Sequence, residues 1–121
     1  MITTEEIVRM YAAAWSETDE GKRRALLVKS WVENGTYTDP TVEVAGREAL
    51  VQHIEGIHRQ FIGCRILLTS RVDQHHDRLR FTWAMVNPKG SRVSEGIDFG
   101  EVGADGRLSR ITGFFGVLSS I

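Results

Sequence analysis

Residues 79–117 read LRFTWAMVNPKGSRVSEGIDFGEVGADGRLSRITGFFGV, and the period of that stretch decides the fold. Leu79, Phe81 and Trp83 alternate with Arg80 and Thr82, so an extended chain there has one apolar and one polar side. Asn87-Pro88-Lys89-Gly90 breaks the run, Arg92 to Val102 resumes it, and Gly103-Ala104-Asp105-Gly106 breaks it again before Leu108 to Val117. Such residues end ladders, so these segments are expected to be consecutive antiparallel strands. Asp105-Gly106 is the strongest hairpin signal, because the second turn residue must tolerate positive φ. Upstream, Ile66 to Val72 adds one more strand before the turn-prone segment Asp73 to Asp77, giving a four-strand meander.

Before Arg65 the apolar period is helical. Thr3 and Glu6 have capping-box spacing, and Ile7, Val8, Tyr11, Ala14 and Trp15 recur as one face, which predicts a first helix over about residues 4–16. Thr18 or Asp19 caps a second helix whose apolar side is Leu27, Val28 and Trp31, ended by Asn34-Gly35. Thr36 to Asp39 is a short β-like segment stopped by Pro40, and Thr41 to Val44 continues it as an extended edge piece. A third helix follows Gly46, with Leu50, Ile54, Ile57 and Phe61 on one stripe, and Gly63 terminates it. The expectation is an α+β fold: three helices covering one face of a curved, mainly antiparallel sheet, with the functional cavity between them.

The 121 residues suit a single domain over residues 1–121. A formal net charge of −1, with cationic side chains scattered among anionic ones, leaves no basic stripe for nucleic acid or an anionic membrane. Cys64 is the only cysteine, so an intrachain disulfide or a thiolate metal cluster is not expected, which fits a reducing compartment. The first residues do not read as a secretory signal, no apolar run is long enough to span a bilayer, and a cytoplasmic protein is expected. His53 and His58 do not share a helix face, and the neighbours His75 and His76 should point apart in an extended chain, so neither a metal nor another cofactor is expected.

Three local patterns then stand in order along the chain: Val8-Arg9-Met10-Tyr11-Ala12-Ala13-Ala14 in the first helix, Tyr37-Thr38-Asp39-Pro40 after the second, and Gly96-Ile97-Asp98 before the last hairpin. On these the sequence resembles the SnoaL-like branch of the nuclear transport factor 2-like superfamily, and within it is similar to ketosteroid isomerase. The resemblance implies a cone-shaped α+β barrel around a ligand-sized pocket and pairing into homodimers. It also implies site roles: Asp39 as general base, Tyr11 as oxyanion-hole donor and Asp98 as a neutral carboxylic acid donor. Asp98 shares its strand face with Ser94, Gly96 and Gly100, a surface too small to form a core, which either faces solvent or leaves room for a ligand.

Trp15, Phe61, Leu79, Phe81 and Trp83 are expected to line the pocket around a hydrophobic small molecule, with His53 reaching it from the third helix. Phe114 and Phe115 point to opposite sides of the last strand, one closing the core and the other facing a partner subunit. The leading expectation is an isomerase or cyclase that abstracts a proton next to a carbonyl of a polycyclic or terpenoid-like substrate. Two other readings stand beside it. One, prompted by resemblance to limonene epoxide hydrolase, activates water with Asp98 and Arg80; the other is a non-catalytic dimeric pocket for binding or association.

Overall fold

Thr3 starts the first helix by closing a reciprocal pair of bonds: its hydroxyl accepts from the Glu6 amide and its own amide donates to the Glu6 carboxylate, both at 3.1 Å. The computed structural model describes residues 2–121. Helix α1 spans Thr4–Ser16 and α2 spans Glu20–Ser30, the latter capped by Asp19, whose carboxylate accepts from the Lys22 amide at 2.8 Å. The apolar pattern predicts α2 as far as Asn34, but Trp31 takes extended backbone and opens strand β1, Trp31–Asp39. Asn34-Gly35 is therefore not a helix stop. A Cβ on Gly35 would lie 2.5 Å from the Trp31 indole nitrogen, so the glycine lets the strand pass beneath that ring.

β1 pairs antiparallel with β2, Val42–Ala45, and parallel with the last strand, so it lies inside the sheet and β2 is the edge. Helix α3, Arg47–Gln60, starts after Gly46 at φ 95°, a left-handed entry that disfavours any side chain. The remaining strands are β3 (Arg65–Leu68), β4 (Asp73–His75), β5 (Arg78–Val86), β6 (Arg92–Val102) and β7 (Leu108–Phe115). The sheet order is β2-β1-β7-β6-β5-β3, with β4 also pairing β5. The result is three helices on a curved, open, mixed sheet of seven strands, α+β as expected but larger than a four-strand meander.

Two local departures come from the same region. The predicted strand over 66–72 stops at Leu68, and Asp73 to His75, read as a turn, pairs instead with β5. The reversal is confined to His76 and Asp77, at φ 49° and 60°, and this left-handed backbone brings the Nδ1 atoms of His75 and His76 within 3.0 Å of each other rather than letting the rings point apart. No described helix is long and apolar enough to cross a membrane.

The helices are held over the sheet by arginines as well as by the apolar core of Val8, Leu27, Trp31, Leu50, Ile54 and Ile111. Arg23 is fully buried, donating to the Glu17, Thr18 and Val51 carbonyls and to Glu55 at 3.1 Å, which ties the α1–α2 connection to α3. Arg47 donates twice to the Trp31 carbonyl, at 3.1 and 2.6 Å, fixing the start of α3 to the start of β1.

The concave face of the sheet follows a steric rule. Trp83 sits opposite Gly96, Leu79 opposite Gly100, and Asp98 opposite Gly113. A Cβ on Gly96 would collide with the Phe114 carbonyl and stand 2.6 Å from the Trp83 ring, and one on Gly100 would stand 2.9 Å from Leu79. The small face around Asp98 thus makes room for Trp83 and Leu79, not solvent. Gly96→Ala should therefore cost about 2–3 kcal/mol of unfolding free energy by overpacking. Gly56→Ala, in the open middle of α3 where nothing lies within 4 Å, should gain up to about 1 kcal/mol. Denaturant midpoints for both variants check the pair.

Candidate functional site

A cavity of about 450 Å³ lies between α1, α3, β1 and the concave face of β3 and β5–β7. Tyr11 reaches it from α1, buried, its ring stacked on Trp31 at 5.6 Å and 12° and set edge-on to Trp15 at 6.3 Å. No hydrogen bond satisfies its hydroxyl, although the Trp15 indole lies beside it, and the Trp15 nitrogen is equally without a partner. Burial first, then the nearby Asp98, push the Tyr11 phenol well above its ordinary range, so it is a donor and not a base. His53 packs against Trp15 and Tyr37 with its Nε2 unpartnered, and burial holds it neutral by lowering its pKa, against a smaller opposing pull from Asp39.

The two aspartates occupy unlike surroundings. Asp39 ends β1 just before Pro40, and its Oδ2 accepts from the Tyr37 hydroxyl at 2.6 Å. Its Oδ1 accepts from the Thr41 amide and hydroxyl, both at 2.7 Å, and from the Val42 amide at 3.1 Å. Four donors make it the knot of the β1–β2 hairpin, where short polar side chains bond backbone two and three residues on. Asp98, only 6% exposed at the middle of β6, accepts one bond, from the Trp83 indole N–H to Oδ1 at 3.0 Å. Oδ2 receives no hydrogen bond from any described residue. Burial pushes the Asp98 carboxyl up to about 7, opposed by the Trp83 bond and reinforced by the charge on Asp39.

The structure brings Tyr11, Asp39, Asp98, Trp15, His53, Phe61, Phe81 and Trp83 to this one cavity. Phe61 is not on the α3 stripe but follows the helix as its C-cap, half-exposed at the rim. Leu79 lies outside the cavity wall: it shares a face with Phe81 and Trp83 but packs down against Gly100 and Ile111. Met85 and Ser94 line the wall instead, towards the opposite end of β5 and β6. Phe115 joins the rim, edge-on to Trp83 at 5.7 Å, while Phe114 is 56% exposed on the outer face beside Phe99. Arg80 points away from Asp98, paired with Asp73 at 2.8 Å on the exposed side, so the arginine-flanked carboxylate of the water-activating reading is absent.

Besides lining residues such as Met85, two residues beside the acids escape the sequence reading. Tyr37 was legible, since it precedes Asp39 by two and so shares its strand face. Gly113 was not: nothing along β7 shows that the Asp98 carboxyl lies over it. A Cβ there would stand 2.7 Å from Asp98 Oδ1 and 3.6 Å from Asp39 Cβ, so both acids flank this glycine on one side of the sheet. Among the described residues, no three His, Cys, Asp or Glu side chains gather as a metal would need.

The sequence profile of the SnoaL-like domain matches residues 7–111. The chain is also similar to a SnoaL-like family protein of Agrobacterium tumefaciens, provisionally named an isomerase: 33% identity, 92% of this chain and 95% of that one covered, TM-score 0.86. A nuclear transport factor 2-like protein of unknown function from Exiguobacterium sp. shares the fold at 18% identity, with 93% and 99% covered and a TM-score of 0.74. So does a protein of Jannaschia sp., provisionally named a SnoaL-like polyketide cyclase, at 17% identity, 94% and 87% covered, TM-score 0.71. No curated protein matches the chain.

The Asp98 environment makes stability depend on pH. The unfolded carboxyl titrates near 3.8 and the folded one near 7, so between those values the folded state holds the extra proton and stability falls as pH rises. Asp98→Asn keeps an acceptor for Trp83 and removes the titration. Its unfolding free energy should gain on wild type by roughly 4 kcal/mol between about pH 4 and pH 8. Denaturation curves at both ends measure this, and a gap that stays constant means that Asp98 titrates as in water.

Proposed function

The chain belongs to the SnoaL-like domain family, and from that premise we propose that its cavity moves a proton next to a carbonyl, as an isomerase or cyclase acting on a hydrophobic small molecule. The observation that carries this reading is the carboxyl of Asp98, buried, held by one oxygen and free at the other, with a proton affinity near neutrality. The resemblance assigned the base to Asp39. The four donors on Asp39 suit a hairpin knot better, so the proposal gives proton transfer to Asp98.

In this mechanism the substrate carbonyl oxygen accepts from the unpartnered Tyr11 hydroxyl. Ionised Asp98 takes the proton from the adjacent carbon, and the electron pair of the broken C–H bond moves into an enolate whose oxygen Tyr11 stabilises. Asp98 then returns the proton, to another carbon in an isomerisation, or, in a cyclisation, to the alkoxide left when the enolate carbon has attacked a second carbonyl of the same substrate and closed the ring. The wall composition points to an uncharged substrate. Among the described residues no lysine or arginine lines the cavity, two carboxylates do, and the rest is mainly aromatic and aliphatic, so a carboxylate- or phosphate-bearing ligand finds repulsion and no counter-charge. The exposed pair Phe99 and Phe114 supplies an apolar outer face on which two copies pair as a homodimer.

The test is exchange of the α-proton of cyclic enones and β,γ-unsaturated ketones in D₂O. Wild type should exchange with a rate that rises through pH of about 7 as Asp98 ionises. Asp98→Asn should lose about 10²-fold or more, and Tyr11→Phe on the order of 10²-fold. Loss with Asp39→Asn but not with Asp98→Asn would restore the base to Asp39, and no exchange by wild type over several ketones would leave a binding pocket without this chemistry.

A further inference from the structure

Trp83 is more than a cavity wall. Among the described residues its indole N–H makes the single hydrogen bond to Asp98, and the ring is itself packed, with Gly96 beneath it and Phe115 edge-on to it at 88°. Across the β6–β7 ladder, Asp98 is in register with Gly113. Gly113 is not among the residues with positive φ, so its backbone would accept any side chain. What a side chain lacks there is space, because its Cβ would stand 2.7 Å from Asp98 Oδ1, the oxygen that Trp83 holds.

We infer that Trp83 and Gly113 are positioning residues for Asp98: the indole fixes Oδ1 so that Oδ2 is presented to the cavity, and the bare Cα of Gly113 leaves the volume in which that geometry exists. This rests on Asp98 as the proton carrier. A carboxylate free to rotate would offer either oxygen in any direction, whereas one pinned by a rigid donor offers one oxygen along one line, and pre-set geometry of that kind is what proton transfer from carbon requires.

The neighbourhood makes the indole bond decisive for the ionised form. The titratable groups facing Asp98 are Tyr11 from α1 and Tyr37 and Asp39 from β1, with His53 of α3 beyond Asp39. β5 presents Phe81, Trp83 and Met85, and β7 presents Gly113. Arg78, Arg80 and Arg110 of these strands are all exposed, away from the cavity. Among the described residues no cation compensates the charge on Asp98, and the Trp83 N–H is the one hydrogen bond that its anion accepts.

The experiment follows the Asp98 carboxyl directly, by ¹³C resonance titration of aspartate-labelled protein, with Asp98→Asn to assign the signal. Trp83→Phe keeps the ring but deletes the donor, and should move the Asp98 midpoint upward by about one pH unit. The rising limb of the proton-exchange profile should move with it, and the rate at high pH should fall by about tenfold or more because the freed carboxylate no longer presents one oxygen along one line. Gly113→Ala, by forcing Oδ1 off the indole, should shift the same midpoint in the same direction. An unmoved midpoint in Trp83→Phe, with only a lower plateau, would overturn the role of Trp83, and an unmoved midpoint in folded Gly113→Ala would overturn that of Gly113. Should Gly113→Ala not fold, Trp83→Phe alone decides the inference. A shifted resonance in a protein with no wild-type exchange would sustain the positioning and sink the isomerase reading, so the two fail separately.

Discussion

The sheet can enclose a cavity only because bulky side chains on its concave face meet glycine on the next strand. Trp83 over Gly96, Leu79 over Gly100 and Asp98 over Gly113 are three instances of one steric arrangement, each with a cross-strand partner too small to push back. A twisted sheet whose inner face carried large residues in every register would flatten or overpack. With the glycines in place, β5, β6 and β7 bend around their own side chains, and the buried acid in β6 is surrounded instead of exposed. Fold and site therefore share their determinants, since the residue that lets the sheet close on Trp83 also lets Trp83 reach Asp98.

On the helical side, arginine anchors tie the helices to one another and to β1. Arg23, buried and bonded to three carbonyls and Glu55, fixes α3 against the α1–α2 connection, and Arg47 pins the start of α3 to the Trp31 carbonyl. A buried guanidinium is tolerated only when its donors are satisfied, so its position is strongly specified. Behind Tyr11, the stacked ring of Trp31 sets the depth to which α1 can settle.

Two aspartates on one wall illustrate how environment divides a single chemistry. Asp39 is wrapped by a turn that supplies backbone amides and hydroxyls, a setting that holds a carboxylate in one structural task. Asp98 sits in mid-strand, where backbone groups are already committed to the ladder and only a side chain can offer a donor. Its proton affinity is raised chiefly by burial, and the single indole bond restrains the rise. Strand position thus gives two identical side chains unlike surroundings, one bonded by four donors and the other by one.

Local sequence determined the period of each element, because alternation, capping and turn residues act over a few positions: the Thr3–Glu6 box, the alternation through Trp83 and the breaks at Asn87 and Gly103 all lie where the sequence places them. Its three short motifs, through the family resemblance they carry, also pointed to Tyr11, Asp39 and Asp98. Only the tertiary structure decided where α2 stops, since the switch at Trp31 depends on β1 finding a parallel partner in β7 from the far end of the chain. Only it decided that Leu79 packs away from the cavity, that Arg80 faces outward to Asp73, and that Gly113 is part of the site. Those facts are set by which strand lies beside which, and a single strand's sequence contains its own period but not the identity of the residue across the ladder.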